Sequence, residues 1–80
     1  METKLAVLAI IINDSESVEK VNALLHEYSE YVRGRLGLPC RERKVSVISV
    51  VLDADMQTLN SLSGKLGMVK GVSSKLLTTK

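Results

Sequence analysis

The sequence predicts an α+β domain whose elements run β-α-β-β-α-β, and three patterns within its 80 residues carry that prediction. Two runs, Lys4–Ile12 and Val45–Leu52, are apolar at both alternating sets of positions, the mark of strands that need cover on both faces. Two stretches carry apolar residues at helical spacing behind capping residues, and two weaker alternating stretches, around 32–38 and 72–79, suit edge strands.

In the first strand Leu5, Val7, Ala9 and Ile11 alternate with Ala6, Leu8, Ile10 and Ile12. Asn13-Asp14-Ser15 then offers helix caps, and Asn13 with Glu16 has capping-box spacing, so a helix is expected from near Ser15. Val18, Val21, Leu24, Leu25, Tyr28 and Val32 form its apolar stripe, with Glu16, Glu19, Lys20, Glu27 and Glu30 off it. Beyond Tyr31 the period becomes two: Val32, Gly34, Leu36 and Leu38 alternate with Arg33, Arg35 and Gly37 until Pro39 closes the strand. Cys40–Lys44 is read as a turn into Val45–Leu52. Asp53 and Asp55 supply caps for a second helix built on Met56, Leu59, Leu62 and Leu66 and stopped at Gly67. Gly71 precedes the last strand, Val72–Thr79.

This order is the split βαβ, or ferredoxin-like, arrangement: a four-stranded antiparallel sheet of order 4-1-3-2 with both helices on one face. The first and third strands are central there, and those are the two that read as apolar on both sides. A domain of this size buries only about 60% of the surface its unfolded chain exposes, and a bare aliphatic sheet face exceeds what a monomer usually tolerates. A homo-oligomer through the open sheet face is therefore expected. Its candidate residues are Val45, Val47, Ile48 and Val50, the alternation leaving open which set points outward.

Composition narrows the function. At 45% apolar and 25% charged the chain is a folded one, and a net charge of +2 is too small to imply polyanion binding by itself. The lone Cys40 cannot form an internal disulfide, no signal-peptide pattern precedes the first strand, and the longest uncharged apolar run, Leu5–Ile12, is far shorter than a membrane span. A cytoplasmic location away from membranes is expected. One histidine, His26, and one cysteine cannot build the usual zinc or nickel site within a chain, and His26 has no spacing signature with Ser29, Ser61 or Ser63 for nucleophilic catalysis. No cofactor, no metal site and no enzyme activity are expected. Asp53 and Asp55 could hold a cation, but capping accounts for them.

Two features remain as candidate sites. Ser63-Gly64-Lys65-Leu66-Gly67 superficially resembles a phosphate loop but has Leu59 where that motif needs glycine and Leu66 where it needs a hydroxyl; Gly64 and Lys65 stay as a weak ligand candidate. Arg33, Arg35, Arg41 and Arg43 gather, with Lys44, between positions 33 and 44. Arg33 and Arg35 share a strand face on simple alternation and could together clasp a carboxylate or phosphate, or pair with glutamates of another subunit. RNA binding on a ferredoxin-like sheet uses aromatic platforms, and this chain has no Phe or Trp and keeps Tyr28 and Tyr31 at the end of the first helix, so direct nucleic-acid contact is the lesser reading.

The run Glu19-Lys20-Val21-Asn22 with Leu24-Leu25-His26-Glu27-Tyr28, the segment Gly34-Arg35 and Gly37-Leu38-Pro39 with Arg41-Glu42-Arg43, the strand Ile48–Ala54 and the stretch Leu62–Gly67 together resemble the small regulators of the iron-only hydrogenase system. The resemblance spans essentially the whole chain. It implies likeness to ACT-type regulatory domains and to the C-terminal domain of nickel-responsive repressors, both ferredoxin-like and assembled through their sheets. The histidine-rich metal site of the latter and the Pro-Gly turn of amino-acid-binding ACT domains have no counterpart here. The expectation is a regulatory or ligand-sensing oligomer, with any small-molecule effector at a subunit interface near the arginine hairpin. A nucleic-acid-binding protein using the four arginines, or a structural assembly factor, are the alternatives.

Overall fold

A computed structural model describes residues 2–79. Strand β1 spans Lys4–Ile12, helix α1 Val18–Glu27, β2 Val32–Cys40, β3 Val45–Ala54, α2 Met56–Gly67 and β4 Val72–Thr78. The four strands form one antiparallel sheet in the order β2-β3-β1-β4, which is the predicted 4-1-3-2 order read from the other edge. The fold is the ferredoxin-like βαββαβ expected from the pattern.

Alternation divides the two central strands cleanly. Ala6, Leu8, Ile10 and Ile12 of β1 and Ile48, Val50, Leu52 and Ala54 of β3 are buried beneath Val21 and Leu25 of α1 and Leu59, Leu62 and Leu66 of α2. Full burial of each large aliphatic side chain stabilises the fold by about 1.5–3 kcal/mol, so this layer dominates its energetics. Ile48 and Val50, carried as candidates for the oligomer face, therefore point at the helices; Val45 and Val47 belong to the opposite set, together with Val51. The sequence could not choose because both sets are apolar.

Several boundaries differ from expectation. Strand β3 runs to Ala54, two residues past the expected Leu52, so Asp53 lies within the strand and Asp55 alone caps α2. A single 3-10 turn, Ser15–Ser17, precedes α1, and Asp14 rather than Asn13 caps it by accepting the Glu16 N–H at 3.0 Å. Asn13 instead donates its own N–H to the Gly71 carbonyl at 2.7 Å, carrying the β1–β4 pairing one residue past Ile12. Val32 leaves the helical stripe for β2, because Tyr28 ends α1 and a second 3-10 turn, Ser29–Tyr31, intervenes. Strand β2 passes through Pro39, which pairs with Ser46 on a sheet edge where a missing N–H is tolerated.

Candidate anion site at the hairpin end

Two turns meet at the end of the sheet where β1 finishes and β3 begins. The β1–α1 turn is pinned from behind: besides the Asn13 bond, the Ser17 hydroxyl donates to the Lys70 carbonyl at 2.6 Å. Gly71 makes this close approach feasible. Its φ is +73°, and a Cβ there would sit 2.7 Å from Asp14 Cβ. The facing turn is the β2–β3 hairpin, a 3-10 turn over Arg41–Arg43 closed by Lys44, whose φ of 55° is left-handed and whose N–H bonds the Arg41 carbonyl at 3.1 Å.

Between the turns lies an open concavity of about 640 Å³, rimmed by Asn13, Asp14 and Ser15 on one side and Cys40, Arg41 and Lys44 on the other, with Ile12 and Val45 beneath. That volume is within the range of small-molecule sites. Among the described residues, neither the Arg41 nor the Lys44 side chain has a hydrogen-bond or ion-pair partner. The one acidic group on the rim, Asp14, is occupied in capping the 3-10 turn. Two unpartnered cations beside hydroxyl and amide groups are suited to a small anion.

The arginine cluster does not act as one patch. The β2–β3 register shifts between Val32 and Gly34, so Arg33 is the extra residue of a bulge and simple alternation no longer relates it to Arg35. Arg33 Nη1 donates to the Glu30 carbonyl at 3.3 Å, while Arg35 Nη2, on the helix side, donates to Asn22 Oδ1 of α1 at 2.8 Å. The expected joint clasp by Arg33 and Arg35 is thus replaced by two separate tethers. Arg43 is exposed and lies outside the concavity, leaving Arg41 as the arginine that lines it. The sequence counts Lys44 only as a neighbour of the four arginines and does not place the Asn13–Ser15 turn at the site. The left-handed turn at Lys44 and the pairing of Asn13 with Gly71 depend on contacts between distant parts of the chain.

Gly64 and Lys65 occupy a different place. Lys65 Nζ lies 3.6 Å from Glu27 Oε1 and 5.1 Å above the Tyr28 ring, at the C-terminal end of α1, whereas the concavity adjoins the turn before α1. The length of that ten-residue helix, roughly 15 Å, separates them. Tyr28 and Ser61 share a hydroxyl hydrogen bond at 3.0 Å. That bond, followed by Lys65, pulls the Tyr28 pKa below its ordinary value, and Tyr28, followed by Glu27, raises that of Lys65. The group joins α1 to α2, and Lys65 is engaged within the chain. His26 is exposed on α1 and Cys40 is half-buried at the end of β2; among the described residues no three His, Cys, Asp or Glu side chains converge as metal ligands.

Residues 4–76 match the TM1266-like family, described as iron-only hydrogenase system regulators. The chain belongs to that family. Within it, the uncharacterized protein TM1266 from Thermotoga maritima is 38% identical and superposes with a TM-score of 0.94, covering 99% of this chain and 100% of that one. Two more distant solved structures share the fold alone. The C-terminal domain of the MgtC protein from Mycobacterium tuberculosis has a TM-score of 0.76 at 14% identity, covering 95% of this chain and 87% of that one. CPII, a nitrogen regulatory PII-like protein from Thiomonas intermedia K12 solved with ADP, AMP and bicarbonate, has a TM-score of 0.51 at 15% identity, with 100% of each chain covered. A comparison with curated proteins finds no match. For this TM1266-like chain, no helix among the described residues is long and apolar enough to cross a membrane.

Proposed function

We propose that this TM1266-like protein is a cytoplasmic, non-enzymatic regulatory protein associated with the iron-only hydrogenase system, which forms a homo-oligomer and senses a small anion. The observation that carries the ligand reading is the concavity between the β1–α1 turn and the hairpin, where the Arg41 and Lys44 side chains have no partner among the described residues. Phosphate, a carboxylate and bicarbonate share the chemistry those groups would take. The PII-like neighbour is a regulatory protein of the same fold that binds anions of this kind, which makes ADP and bicarbonate suitable first probes.

Calorimetric titration with inorganic phosphate, bicarbonate and ADP tests this. At least one should bind saturably, and the Arg41→Gln, Lys44→Gly double variant should weaken it by about tenfold or more. If none binds, or the variant binds as well as the parent, the sensing role is wrong. Direct nucleic-acid contact has less support: the arginines diverge, Tyr28 is buried in the core and Tyr31 packs against it.

A further inference from the structure

The face of the sheet opposite the helices has an ordered relief. Strand register places Gly34, Val51, Val7 and Leu77 in one row across the four strands, Leu36, Ser49, Ala9 and Lys75 in the next, and Leu38, Val47, Ile11 and Ser73 in the third. In the centre Val7, Ile11 and Val47 remain 41%, 43% and 38% exposed, and at the edges Leu36, Leu38 and Leu77 remain 70%, 64% and 72% exposed. In the outer two rows the edge strands are complementary. Leu77 on β4 shares a row with Gly34 on β2, and Leu38 on β2 shares a row with Ser73 on β4. Nothing lies within 4 Å of where a Gly34 Cβ would be, and a hollow of about 350 Å³ opens beside Ala9, Ser73 and Lys75.

We infer that this face receives a second copy of the same chain, related by a two-fold axis that lies in the interface and runs parallel to the strands. Such an axis keeps each row and exchanges β2 with β4 and β3 with β1 of the partner. Leu77 then faces the space over Gly34, Leu38 and Leu36 descend toward the hollow beside Ser73 and Lys75, and Val7 and Ile11 meet Val51 and Val47. The angle of about 30° between aligned sheets displaces the outer strands by less than the spacing of one row, roughly 7 Å. A two-fold axis across the strands would also match large to small, but it would stack Lys75 on Lys75 and Leu36 on Leu36. Bringing two buried ammonium groups together disfavours it.

Size and edges agree with this partner. Four strands about 4.8 Å apart and a nine-residue β1 give a face of roughly 550 Å², so two faces bury roughly 1,100 Å², near the lower end for specific interfaces. Side-by-side pairing through the β2 edge is opposed by the bulge at Arg33 and by Pro39. The strand-parallel axis also sets both hairpin ends, each with its Arg41 and Lys44, at the same end of the dimer. The inference rests on the oligomeric part of the proposed regulator and supplies its geometry.

Disulfide trapping in a Cys40→Ser background tests it. Leu38→Cys with Ser73→Cys should give a covalent dimer under mild oxidation; within one chain those positions are three strands apart, roughly 14 Å, too far to bridge. Trapping by Ser73→Cys with Leu77→Cys instead would overturn the strand-parallel axis. A second pair of variants avoids cysteine: Ser73→Leu should weaken dimerisation by about tenfold or more, and adding Leu38→Ser should restore it, because each row again holds one large and one small residue. Failure of that rescue in a protein that remains folded by circular dichroism overturns the inference. A parent protein that sediments as a monomer yet binds ADP overturns this dimer and leaves the sensing role standing.

Discussion

Gly71 and Lys44 both hold left-handed backbone, at φ 73° and 55°, with opposite consequences for substitution. At Gly71 any side chain meets Asp14, so Gly71→Ala combines backbone strain with a clash and should cost about 2–3 kcal/mol in chemical denaturation, loosening the β1–α1 turn with it. At Lys44 the strain is already present, and Lys44→Gly should leave stability unchanged or raise it by up to about 1 kcal/mol while removing one of the two site cations. Loss of anion binding in that variant therefore reports on charge and not on unfolding. Sequence reading placed Gly71 before the last strand and counted Lys44 in the basic cluster, but neither conformation was legible. Each is imposed by a contact or turn closure that local residue order does not specify.

Among the elements, α2 has the better-defined start. The Asp55 carboxylate accepts the Thr58 hydroxyl at 2.6 Å and the Thr58 N–H at 3.3 Å, and the hydroxyl bond is the main cause of a pKa held below the ordinary carboxylate value. The folded chain thus binds this proton less readily than the unfolded chain. The cap's contribution is present above the unfolded carboxylate pKa and is lost as pH falls through the depressed folded one. Denaturation curves at roughly pH 6 and roughly pH 3 should show a drop in stability that Asp55→Asn makes smaller.

The central strands offer a sharper test of facing. Leu8→Ala removes a fully buried side chain and should cost about 2–5 kcal/mol, whereas Val7→Ala, its neighbour on the open face, should cost far less in the monomer and act chiefly on self-association. Both strands were legible from β-branched residues and alternation. Their outward set was not, because Ile48 and Val50 are as apolar as Val45 and Val47. The Arg33–Arg35 relation was misread for a different reason: the bulge exists only through the register β2 adopts against β3, and one unpaired residue suffices to void a period-two argument.

For the whole molecule, topology was the most legible level, since two doubly apolar strands in first and third position demand a central pair. The site was legible only as a region: Arg41 lines it, Arg33, Arg35 and Arg43 do not, and Lys65 is held by Glu27 and Tyr28. If the open face is shared between copies, the thermal midpoint should rise with protein concentration, and a midpoint constant from about 1 to 100 μM would mean that folding and association are independent. Nucleic-acid titrations at about 50 and about 200 mM salt should show no affinity that falls steeply between them, because fewer than the several clustered cations needed for counterion release share one surface.

The position of β1 has a consequence for how the chain reaches this state. Its partners are β3 and β4, so Leu8 pairs with Val50 and with Leu76, residues far along the sequence. Loop closure must be completed before those contacts contribute, which places the protein with mixed α/β domains, slower to fold than helical bundles and faster than all-β sandwiches. During synthesis β1 is made before both of its partners and acquires its second neighbour last. Until β4 is made, one edge of β1 stays open with apolar side chains on both faces, and protection of that nascent edge will govern how much of the protein escapes aggregation.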